Sequence, residues 1–240
     1  MLRIKFSTDR KFSASKSASS PSAKTLVARL AERKLMKTDS KKTNELIKLT
    51  SKNYPMFADY CNYLDKGLRK DALKCLESFL DNTKDWDYLT KATFCKTIFS
   101  ISTTNNDIAF VLTTNLTDKL IKPTLLEIIT QEPDNYLAFK WYGQYFRDTA
   151  FIKKALDLNP SDSSIKLILL NNLENDIWTS THHLPDGYLG DINQDEQDIE
   201  LAFSLLDSFN KKTTEEFFNR FTDYKNAIDN YKENDKKPSH

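Results

Sequence analysis

Two stretches near the middle of the chain share one pattern. Residues 125–135 form an apolar helical stripe that stops at Pro133, and residues 151–162 form a second that stops at Pro160. Proline cannot continue a helix interior, and the residue before it avoids the helical region. The Asp and Ser residues that follow can cap a new helix. Stripe, stop, cap and restart is the pattern of stacked helix hairpins. Only four glycines occur in 240 residues. Sheet proteins turn often and use glycine at positive φ, whereas long helices with short connections need few. The expectation is an all-α fold.

The rest of the chain is consistent with that reading. Residues 1–8 alternate apolar and basic side chains in a short strand-like pattern, and residues 9–20 are rich in Ser and Lys. A helix is expected from Ser22 to Lys37, then one from Ser40 to Lys52, one opening at Tyr54-Pro55 and ending at Gly67, and one from Arg69 to Leu80. Asp85 is the expected cap of the next. Residues 105–114 and 116–121 read as short pieces, with a break before Pro123. Asp134 and either Ser161 or Asp162 are the expected caps after the two prolines. Asn193 with Glu196, and Thr213 with Glu216, have capping-box spacing. The boundaries that follow are a basic tail at 1–20, one helical domain at 21–232 and a polar tail at 233–240.

The stretch from Asp134 to Pro160 resembles a tetratricopeptide repeat, with a looser likeness over residues 124–175. Trp141, Gly143 and Tyr145 are similar to the aromatic–Gly–aromatic signature of that repeat, and Ala155 and Pro160 have the spacing of its late Ala and Pro. Pro133 and Pro160 stand 27 residues apart, against about 34 in that family. The resemblance implies an irregular right-handed α-solenoid of stacked hairpins with a short basic N-terminal extension. It also implies a role in binding protein.

Charge is uneven along the chain. Residues 1–42 hold twelve Lys/Arg and three Asp/Glu, residues 43–120 ten of each, and residues 121–240 thirteen and twenty-one. The basic leader lacks interleaved aromatics or a groove-reading motif, so nucleic acid is not an expected partner. Its Arg/Lys/Ser content also fits a mitochondrial presequence, although Asp9 interrupts it and no sustained amphipathic helix precedes Ser22. No run of about 18 apolar residues is present to span a membrane. The three cysteines, Cys61, Cys75 and Cys95, have no CxxC spacing and fall in helical stripes. That suits buried thiols in a reducing compartment and a cytoplasmic protein.

The residue types that carry chemistry are sparse. No nucleotide-cradling glycine loop or GxSxG elbow occurs, and no catalytic residue or cofactor is expected. His182, His183 and Asp186 lie in a segment, Trp178 to Asn193, that holds two of the four glycines. Three or four ligands are needed for zinc, so this set is incomplete as a metal site and more readily forms a hydrogen-bonded loop. The expected function is a non-enzymatic scaffold or adaptor that binds a protein partner. The candidate contact residues are Trp141, Tyr142, Tyr145, Trp178, His182, His183 and Asp186, because aromatic side chains dominate interface hot spots. A toxin-neutralising immunity-type protein is one variant, and a metal-dependent hydrolase using the His182–His183–Asp186 loop is the alternative.

Overall fold

A computed structural model describes residues 43–101 and 108–235, and among these the chain is helical with no strand. The expected strand-like start, basic tail and first helix lie outside the described residues, as do the last five. The helices are α1 (43–50), α2 (Pro55–Asp65), α3 (Arg69–Asn82), α4 (Tyr88–Ser100), α5 (Thr114–Leu116), α6 (Lys122–Gln131), α7 (Tyr136–Phe146), α8 (Thr149–Leu158), α9 (Ser163–Thr181), α10 (Ile192–Leu206) and α11 (Lys211–Asp235). Packing runs chiefly between neighbours in sequence: α2 on α3, α6 on α7, α7 on α8, α8 on α9 and α9 on α10, with α11 reaching both α9 and α10.

Local chemistry sets the boundaries. Pro55 opens α2, where its missing N–H costs nothing. Gly67, at φ 71°, closes it: its N–H donates to Leu64 O, and that of Leu68 donates to Tyr63 O. This pair of reversed hydrogen bonds satisfies carbonyls the helix leaves free. Several caps fall one or two residues from the expected position. Asp87, not Asp85, caps α4 by accepting from Thr90 N at 2.8 Å, because residues 83–85 first form a 3-10 turn. Asn135 caps α7 in place of Asp134, whereas Asp162, one of the two expected residues, does cap α9. Asp191 caps α10 two residues before Asn193. α11 begins at Lys211, ahead of Thr213, and continues to Asp235.

The expected break before Pro123 is absent. Thr117–Ile121 instead form a π-turn that joins α5 to α6 without interruption. Pro123 has no N–H and its ring crowds the carbonyl four residues earlier. A widened turn just before it accommodates both defects, as π-bulges do. The helical piece expected at 105–114 falls partly outside the described residues, and 108–111 form turns.

Two apolar clusters form among the described residues. The first runs from Leu46 to Tyr142 and the second from Ile152 to Ile228. Gly143 lies where α7 meets α8: a Cβ there would stand 2.6 Å from Ile152 Cγ1 and 2.8 Å from the Asp148 carbonyl. Cys61 and Cys95 are fully buried and Cys75 half-buried, all as free thiols. Burial pushes the Cys95 thiol up to about 12, which makes it a poor nucleophile.

Candidate functional site

The aromatic set of α7 belongs to the core. Trp141 stacks on Phe99 with ring centroids 5.2 Å apart, and Tyr145 tilts against the same ring at 5.0 Å. Tyr142 packs on Phe146 and Phe151. Trp141 and Tyr142 are each only 8% exposed, so little of either reaches the surface. Tyr145 is half-buried.

The other four candidates gather at the C-terminal end of α9. That helix turns Ile165, Leu169, Leu173 and Ile177 inward at steps of four. Trp178, one residue past this stripe, faces out and is 53% exposed. The His182 ring lies on the Trp178 ring with centroids 4.5 Å apart and planes at 15°, and His183 follows with centroids 4.1 Å from His182. His182 Nδ1 is 2.8 Å from Thr179 O and 3.2 Å from Trp178 O. A carbonyl can only accept, so Nδ1 carries the proton. Asp186 is exposed in the following turn, where its N–H donates to His183 O.

Residues 182–191 are bound down on both sides. The Leu189 N–H donates to Ser180 O at 3.1 Å, and the Tyr188 hydroxyl donates to Asp195 Oδ2. The Tyr188 ring also packs against Tyr231 of α11. Desolvation by burial, then the Asp195 carboxylate, push the Tyr188 pKa up. Gly190 is wedged between α9 and α10: a Cβ there would lie 2.7 Å from Ser180 Cβ and 2.8 Å from Asp195 Oδ2. Leu189, held by this clamp, is 61% exposed. Trp178, His182 and His183 thus form an exposed stack at the end of α9, and Leu189 is exposed on the anchored loop that follows it.

A group of carboxylates lies where α8, α9 and α10 meet. Asp195 and Asp198 are buried at 6% and 8% exposure. Lys153 of α8 pairs with Asp198 at 2.8 Å, and Thr149 donates to Asp176 at 3.1 Å. Asp176 is an exposed residue whose carboxyl pKa is raised, first by desolvation and then by Asp198 and Asp195; Thr149 and Lys153 pull the other way. No group of three or more His, Cys, Asp or Glu able to hold a metal forms among the described residues.

Gly190 is one of the two glycines that mark the Trp178–Asn193 segment in the sequence, whereas Tyr188, Asp195 and Asp198 are not singled out there. A usable signal was present, because Asp195 falls on the inward stripe of Ile192, Ile199 and Ala202. No known protein-family model, curated protein or solved structure matches the chain.

Proposed function

We propose that the protein is a non-enzymatic interaction module that binds a protein partner through the Trp178–His182–His183–Leu189 patch. In this reading the successive helix pairs form an irregular right-handed solenoid, similar to tetratricopeptide arrays, and the patch is the surface they carry. The observation behind it is the exposure of a stacked Trp–His pair at the C-terminal end of α9, where the following loop is fixed by Tyr188, Ser180 and Gly190. A large aromatic side chain held rigidly in water loses little freedom on binding, which is why Trp and Tyr supply so much interface energy. The free thiols fit a reducing compartment, and a cytoplasmic location is part of the same proposal.

The test is photo-crosslinking from two exposed positions in cells. A photoreactive residue at His183 is expected to trap one defined protein, and the same residue at Leu89, itself 69% exposed, is expected to trap none. Equal trapping at both positions, or at neither, would overturn the assignment. In the first case exposure alone explains capture, and in the second the patch has no partner.

A further inference from the structure

A pocket of about 210 Å³ opens between α10 and α11, lined by Glu196, Ile199, Glu200, Lys225, Ile228 and Asp229. Ile199 and Ile228, almost wholly buried, close its floor. Three carboxylates and one ammonium form its rim. Glu196 is engaged by Lys232 at 2.6 Å. Among the described residues neither Glu200 nor Asp229 has a cationic partner. α10 contributes four carboxylates in all and no lysine or arginine.

The dimensions and the chemistry narrow the occupant. Small-molecule sites usually measure about 300–1,000 Å³, and one water takes about 30 Å³, so the space suits a single long side chain. Lysine and arginine lay an aliphatic stem along apolar surface and keep the charged head among polar groups. An isoleucine floor under a carboxylate rim matches both parts of such a side chain. The net excess of carboxylates at the rim favours a cation over a neutral or anionic group, and most strongly at low salt.

We propose that this pocket receives one lysine or arginine side chain from a basic segment of a protein partner. The inference rests on the protein-binding reading for what carries the side chain, but it uses none of the residues of the Trp178 patch. The two can therefore fail separately.

The experiment is fluorescence anisotropy of the full chain titrated with a labelled peptide of alternating arginine and serine. The control peptide has citrulline, of the same shape without the charge, at every arginine. The arginine peptide is expected to bind and the citrulline peptide not. Glu200→Gln combined with Asp229→Asn should weaken binding about tenfold or more. Trp178→Ala should change it by less than about twofold, because that side chain is outside the pocket. Unchanged affinity in the double variant would overturn the proposal. So would an equal loss in Glu77→Gln with Asp81→Asn, acids of α3 remote in sequence, which would mark unspecific attraction. Binding that emerges only after deletion of residues 1–42 would also overturn it, because the chain's own basic leader would then be the occupant. Full peptide binding combined with failed crosslinking at His183 would leave the pocket standing and remove only the patch.

Discussion

The first apolar cluster holds a knot of contacting rings among its aliphatic side chains, whereas the second buries a single ring, Phe221, among its aliphatics and carries ions at its edge. In the first, Tyr54, Phe57, Phe79, Trp86 and Phe94 contact one another, and Phe94 touches the other four at 4.9–5.7 Å between centroids. In the second, the buried residues are largely Ile165, Ile168, Leu169, Leu170, Leu173, Ile177 and Ile199. Ion pairs tie its helices together: Lys153–Asp198, Arg220–Glu174 and Lys232–Glu196 join α8 to α10, α9 to α11 and α10 to α11. The first half has a comparable link in Lys96 and Glu132, where Tyr88 and Asn135 also donate to the carboxylate. The difference lies in where the cost falls. Burying Asp195 and Asp198 is worthwhile only if every oxygen is served, and partly served networks weaken a core. The second half accepts that cost where α8, α9 and α10 meet, and Asp195 also anchors Tyr188 of the loop that follows the exposed stack; departures from simple packing collect at functional sites.

The contrast sets the scale of three perturbations. Phe94→Ala removes the ring around which the first cluster is arranged, and about 3–5 kcal/mol of stability should be lost in urea denaturation. A loss under about 2 kcal/mol would mean that the rings are replaceable packing. Lys153→Ala strips the buried Asp198 of its cation and should cost about 1–3 kcal/mol. Adding Asp198→Leu is expected to recover part of that, since an unpaired buried charge is worse than none. No recovery would show that the carboxylate is served by other groups.

The smallest effect concerns Asp176. Its folded-state pKa lies above the ordinary carboxylate value. The ionised form is therefore disfavoured by folding. The penalty is present in full above the folded pKa and disappears as pH falls below the unfolded value, about 3.9. Asp176→Asn should raise Tm slightly at pH 7, with the advantage vanishing below about pH 4. A variant less stable than the parent at pH 7 would contradict this electrostatic account.

Helices and their inward stripes were legible because apolar residues at steps of three and four leave little freedom in so glycine-poor a chain. Caps were less so. Asp85 and Asp87, Asp134 and Asn135, or Asp191 and Asn193 all have the right chemistry, and the turn before each helix decides between them. Pro123 does not break the helix, because a single proline can be absorbed by a π-turn once neighbouring helices hold both sides. The candidate site was half legible. Trp178 stands one step off an otherwise unbroken stripe, a local signal of exposure. The burial of Trp141 depends on Phe99 of α4, which no local pattern reveals. Nor could spacing alone place Tyr188 on Asp195, because the loop between them returns along a path set by Ser180 and Gly190.

Those two tryptophans supply the most direct measurement. The protein crosslinked at His183 is purified, and its affinity is measured by calorimetry for Trp178→Ala and Trp141→Ala, with Tm recorded for each. The account predicts that Trp178→Ala keeps its Tm and loses binding about tenfold or more, whereas Trp141→Ala loses about 3–5 kcal/mol of stability and, below its Tm, still binds. Undiminished binding in Trp178→Ala would contradict the central claim.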